Sequence, residues 1–139
     1  MVRFPDELNS YISREFVRQR AVGWIRPADH DAPEAMLLWG TLGYALYLSA
    51  DGRVWVERDW IEDQGVREAS SQESAGAFLK AAERHPLFRQ LVPSRPADAP
   101  PCEACAGDGS MRFTDVHGRD GAIYCPQCEG LGWHLLAAG

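Results

Sequence analysis

The chain has 139 residues, 45% hydrophobic and 24% charged, with a formal net charge of −6. This composition excludes a collagen-like, low-complexity or wholly disordered polypeptide, and the acidic balance argues against a general nucleic-acid binder, which needs a cationic surface to displace counterions. No apolar run approaches the roughly 20 residues of a bilayer-spanning helix. The start, Met1-Val2-Arg3-Phe4-Pro5-Asp6-Glu7, turns acidic where a secretion signal would stay apolar, so a cytoplasmic protein is expected.

From Pro5 to about Arg20, the spacing of Leu8, Tyr11, Ile12, Glu15, Phe16 and Gln19 predicts a helix with one apolar side. Asp6 and Glu7 fall in its first turn, where they complement the helix dipole. The short apolar runs Val22–Ile25 and Met36–Trp39 read as strands, and Trp24 and Trp39 as core residues. Tyr44–Ser49 and Arg53–Arg58 flank an Asp51-Gly52 turn and predict a hairpin with both faces partly covered. A polar stretch, Glu62–Ser71, leads to a second helix. Ser70 and Glu73 have capping-box spacing there, and Phe78, Leu79 and Ala82 form a narrow apolar stripe. His85-Pro86 breaks that helix, and Leu87, Phe88 and Leu91 supply one more turn that closes the core. The expected fold class is α+β: a small N-terminal antiparallel sheet with flanking helices over 1–92, a proline-rich linker over 93–101, and a zinc β-ribbon over 102–139. The linker holds Pro93, Pro96, Pro100 and Pro101, which cannot continue a helix or a paired strand. The charge divides evenly about Pro101, so neither part is a basic arm.

All four cysteines follow the linker. Cys102-Glu103-Ala104-Cys105-Ala106-Gly107-Asp108-Gly109 and Cys125-Pro126-Gln127-Cys128-Glu129-Gly130-Leu131-Gly132 are two copies of CxxCxGxG. Two residues between thiolates let a tight turn aim both sulfurs at one ion. The glycines beyond permit positive φ, so backbone N–H groups can curl toward the sulfurs and spread their charge. A glycine-rich segment this short has almost no core, and below ~40 residues a fold usually needs a metal or a crosslink. One structural Zn²⁺ held by Cys102, Cys105, Cys125 and Cys128 is the expectation, with Trp133 packed against the knuckle. A redox role is disfavoured because neither pair opens a helix. A zinc hydrolase is disfavoured because four thiolates leave no vacancy, and His117 and His134 read as a turn and a tail residue.

The repeated CxxCxGxG resembles the cysteine-rich zinc module of the DnaJ-class co-chaperones, where four repeats form two zinc sites on a β-ribbon that handles unfolded polypeptide. The resemblance covers about 30 residues, and with two repeats it implies one zinc. His85-Pro86 is followed by Leu87, not by the aspartate of the family's His-Pro-Asp tripeptide, so only the zinc geometry and a habit of touching other proteins carry over. Residues 1–92 resemble the SUKH superfamily in Phe4-Pro5-Asp6-Glu7-Leu8, in Tyr47-Leu48-Ser49-Ala50-Asp51-Gly52-Arg53-Val54 and around Ala77-Phe78-Leu79. Many members of that group are bacterial immunity proteins that block a cognate toxin. The likeness implies a toxin partner, a basic nuclease that the net charge would steer inward.

His30 between Asp29 and Asp31 reads as a solvated acidic loop. Trp55, Glu57, Asp59, Trp60, Glu62 and Asp63 read either as a charged strand end or as a recognition surface, with tryptophan anchors among carboxylates. The expected function is non-catalytic binding of another protein, a basic toxin or an unfolded polypeptide, without membrane or nucleic acid. The alternatives are an enzyme or enzyme accessory with its site in a groove of the first unit, and a nucleic-acid module using Arg112, Phe113 and Arg119.

Overall fold

The computed structural model of the chain describes residues 4–41, 43–58 and 65–135. Helix α1, Asp6–Val22, buries Leu8, Ile12, Phe16 and Gln19 along one side, as the spacing predicts. Gly23 ends it at φ 77°, donating to Arg20 O, while Trp24 N donates to Gln19 O. This paired closure needs a left-handed residue, and nothing lies within 4 Å of a Cβ built at Gly23, so the glycine is there for its backbone. The closure also overturns the strand expected at Val22–Ile25. Val22 belongs to the helix, and only Arg26 pairs, in an isolated bridge with Ala35. Trp24, expected in the core, is instead 47% exposed beneath the Arg18 guanidinium.

The following loop is organised by Asp29, whose carboxylate accepts from the amides of Asp31 and Ala32 and from Arg26. His30 is exposed, as a solvated loop requires. Strands β1 Ala35–Thr41, β2 Tyr44–Ser49, β3 Val54–Arg58 and β4 Val66–Glu68 form an antiparallel sheet in chain order. β4 lies in the polar stretch read from sequence as a lead-in: only Val66 is buried, too little apolar signal for a strand. The edge strand β1 is stitched to α1 by Gln19, whose amide gives Leu37 the two hydrogen bonds a neighbouring strand would supply.

The register explains the two faces. Met36 opposite Leu48, Leu48 opposite Val54, and Leu46 opposite Val56 place these apolar side chains against α1 and helix α2, Ser71–Ala81. Tyr47 opposite Trp55 falls on the other face, with Ala32 and Val66. A bulge between Leu37 and Trp39 keeps Leu38 in the core and sets Trp39 opposite Leu46 on the same side. α2 begins with the predicted capping box: Glu73 N donates to Ser70 Oγ, and Ser70 N donates to Glu73. Its core stripe is Ala77, Phe78 and Ala81, with Leu79 and Ala82 only partly buried. The 3₁₀ turn Pro86–Leu91 buries Phe88, stacked on Phe78.

Beyond the prolines, strands β5 Ser110–Thr114 and β6 Asp120–Tyr124 form a two-stranded ribbon. Pro101 bridges to Trp133, and His134 N donates to Pro100 O, so the segment that enters the cysteine module runs beside the one that leaves it. No helix among the described residues is long and apolar enough to cross a membrane.

Candidate metal centre and the seam beside it

The two CxxCxGxG segments fold into matching turns. Gly109 N donates to Cys105 Sγ and Gly132 N to Cys128 Sγ, each at 3.2 Å. Cys102 N donates to Gly132 O and Cys125 N to Gly109 O, each at 3.0 Å, so each turn also holds the other. At Gly109 (φ 78°) a Cβ would stand 2.5 Å from Gly130 O, and at Gly132 (φ 87°) 2.5 Å from Gly107 O. These two positions need glycine twice over, for the left-handed backbone and for the approach of the facing main chain.

All four cysteines are buried and free, and their sulfurs lie within 4.8 Å of one another. Cys102 Sγ to Cys125 Sγ and Cys105 Sγ to Cys128 Sγ are both 3.8 Å. A regular tetrahedron with metal–sulfur bonds of about 2.3 Å has edges of about 3.8 Å, which two opposite edges of the donor set match. Burial opposes ionisation of Cys105, but the Gly109 amide and the neighbouring sulfurs outweigh it and bring the thiol down to about 7. Burial pushes Cys128 up to about 12 against the Gly132 and Gly130 amides. Crowded sulfurs cannot all carry charge without a cation among them, which is the electrostatic condition of a metal site. Among the described residues the group that can hold a metal ion comprises these four cysteines alone. His117 sits in the ribbon's exposed turn and His134 on the segment leaving the second knuckle. Trp133 is buried.

The cysteine module is fastened to α2 by residues spaced four apart. Gln72 Nε2 donates to Cys128 O and Trp133 O, and Leu135 N donates to Gln72 Oε1. At Gly76 a Cβ would stand 2.4 Å from Glu129 O, so the helix is notched to receive the knuckle. Lys80, 1% exposed, donates from Nζ to Glu129 O and Oε2, both at 3.3 Å. The ammonium lies 5.2 to 5.8 Å from the ring centroids of Trp39, Tyr44 and Tyr124. Burial lowers the pKa of Lys80, opposed by the charge of Glu129. Burial, reinforced by that same carboxylate, raises Tyr44, whose hydroxyl donates to Glu129 Oε2. Sequence reasoning missed this seam. Its available signal was Gln72, Gly76 and Lys80 at i, i+4 and i+8, a stripe on α2 that is neither apolar nor an ordinary solvated face.

Of the two tryptophan anchors of the expected recognition surface, Trp55 is not available as one. Trp55 is 6% exposed, packed with Ala32 and Val66, and its indole N–H donates to Ser49 Oγ. The alternation of the hairpin turns it onto the second sheet face, which Ala32 and Val66 cover. Glu57 is paired with Arg26 and Tyr47. Asp59, Trp60, Glu62 and Asp63 lie outside the described residues. On the ribbon, Met111 opposite Ile123 and Phe113 opposite Gly121 share one face, and Met111, Phe113 and Ile123 are 37%, 48% and 54% exposed.

Compared with models of protein families, with curated proteins and with solved structures, the chain matches none.

Proposed function

We propose that this chain is a non-catalytic, zinc-binding cytoplasmic protein whose role is to bind another protein. The observation that carries the reading is the convergence of four buried sulfurs, with two opposite edges of 3.8 Å and all within 4.8 Å, from two glycine-cupped turns. An all-thiolate tetrahedral set suits zinc among the common divalent ions. Zinc, when bound, ties the two turns together, and with four thiolates around it no position is left for water or substrate. The favoured contact surface is the ribbon face of Met111, Phe113 and Ile123, because exposed apolar patches on soluble domains mark interaction sites and Trp55 is buried. Likeness to the DnaJ-type module supports an unfolded polypeptide as the partner. The SUKH likeness supports the narrower case of a basic toxin held in check.

Purified under reducing conditions, the chain should carry one zinc ion by elemental analysis, and a ratio near zero or near two overturns the zinc reading. Serine at Met111, Phe113 and Ile123 together should abolish binding to a reduced, permanently unfolded polypeptide in fluorescence anisotropy, with zinc content unchanged. Undiminished binding rejects the ribbon face.

A further inference from the structure

Between the end of the sheet, α2 and the ribbon lies a cavity of about 680 Å³, a volume within the range that small-molecule sites occupy. Trp39, Tyr44 and Tyr124 supply aromatic walls, Ala122 leaves one side low, Lys80 and Arg58 bring positive charge, and Glu83 and Glu129 bring negative charge. The two cations are not equivalent. Lys80 is satisfied by Glu129. Arg58 makes no hydrogen bond with any described residue, and its Nε is shut from solvent without a partner. The nearby carboxylates accept from other donors, although Glu129 Oε1 faces Arg58 alone among the described residues. Glu73 receives two hydrogen bonds from Arg67 at 2.7 and 2.6 Å, and Glu129 receives Lys80 and Tyr44. Both stand off from Arg58 Nη2, at 3.8 and 3.7 Å. The guanidinium lies 4.7 Å over the Tyr44 ring, which orients it without giving it an acceptor.

A guanidinium whose Nε is buried without an acceptor carries a cost, and its planar donors match the two oxygens of a carboxylate. We propose that this cavity is a binding site for a carboxylate carried on a flat apolar group, with Arg58 taking the carboxylate and Trp39, Tyr44 and Tyr124 enclosing the apolar part. The same chemistry is offered by a free aromatic acid and by the C-terminal residue of a polypeptide ending in an aromatic side chain. The site borders the ribbon face assigned to polypeptide binding through Ile123, but Arg58, Trp39 and Tyr44 lie outside that face, so the site stands whether or not that face is used.

The test uses the full, zinc-loaded chain. Titration with 3-phenylpropionate, and with an N-acetylated tripeptide ending in phenylalanine with a free C-terminus, is followed by calorimetry and by the tryptophan indole N–H resonances. At least one acid should bind, and its neutral amide should bind about tenfold to a hundredfold more weakly. Arg58→Met should weaken the acid by a similar factor and Arg58→Lys by less, since a point charge replaces a fork. Ala122→Trp fills the cavity from the exposed ribbon without touching Arg58 and should also abolish binding, which guards against misfolding of the Arg58 variants. Binding of the small acid alone assigns a metabolite-like ligand, binding of the peptide alone assigns a chain terminus, and either supports the site. It is overturned if neither acid binds below about 10 mM, if acid and amide bind equally, or if affinity survives both Arg58→Met and Ala122→Trp.

Discussion

Glu129 shows how one side chain joins two structural tasks. Its backbone sits at φ 58°, in the left-handed region that non-glycine residues seldom occupy, because the knuckle must turn there after Cys128. Its carboxylate is buried and is the hydrogen-bonded counter-ion of Lys80. Glycine would serve the turn and abandon the lysine, so a glutamate under backbone strain has a physical reason. Glu129→Gln removes the charge and keeps the shape, leaving Lys80 buried without its counter-ion. Unfolding in denaturant should show a loss of about 3 kcal/mol. Adding Lys80→Met, which removes the orphaned charge and keeps an apolar stem among the three rings, should restore most of it. Gly76 gives a second prediction whose sign is diagnostic. In an isolated helix Gly76→Ala would gain about 1 kcal/mol. Here the methyl meets Glu129 O and must push the knuckle away, so a loss of about 1 to 3 kcal/mol is expected by the same measurement.

Elements whose signal is local were legible in the sequence. The α1 stripe, the Ser70–Glu73 box, the Asp51-Gly52 hairpin and the cysteine turns each carry their pattern within a dozen residues, and each forms. Elements that depend on a distant partner were not legible. Val22–Ile25 looks like a strand until the Gly23 closure claims Val22, and β4 holds one buried residue and exists because β3 offers it a ladder. Trp55 reads as a surface anchor in a charged run until the hairpin register turns it inward. The loop before β1 is local again, and its chemistry predicts a pH dependence. The hydrogen bond from Arg26 and the two amides hold the Asp29 carboxyl down at about 2, below the ordinary 3.8. A depressed folded-state pKa adds stability above the unfolded value, and that stability is lost as pH falls through the folded one. The deficit of Asp29→Asn in denaturant midpoint should therefore be full at about pH 5. It should close between 3.8 and about 2, and a deficit that stays constant over that window would mean the carboxylate charge contributes nothing.

At the scale of the molecule, the zinc proposed for the cysteine module has a consequence for the α+β part. The buried side chains of the main core come from α1, the sheet, α2 and Phe88, and none from beyond the linker. A unit of about 90 residues with such a core is large enough to be expected to fold without a metal, whereas a module under about 40 residues usually needs one. Structural zinc in small modules contributes on the order of 10 kcal/mol of apparent binding energy, far more than ribbon pairing alone can replace. The seam nevertheless couples the two: Gln72, Gly76 and Lys80 face the second knuckle, and Trp39 packs edge-on against Tyr124. Removing the metal with a chelator, or replacing Cys125 with serine, should therefore produce graded unfolding. In hydrogen exchange, amides of residues 102–135 should lose protection entirely, those of α2 from Gln72 to Lys80 in part, and those of α1 and β2 hardly at all. Uniform loss across the chain would show that the module is integral to the main core. Unchanged exchange in α2 would show that Lys80 and Gln72 do not hold the knuckle in solution. The graded outcome requires both a self-sufficient sheet domain and a metal-fixed module resting on one stripe of its second helix.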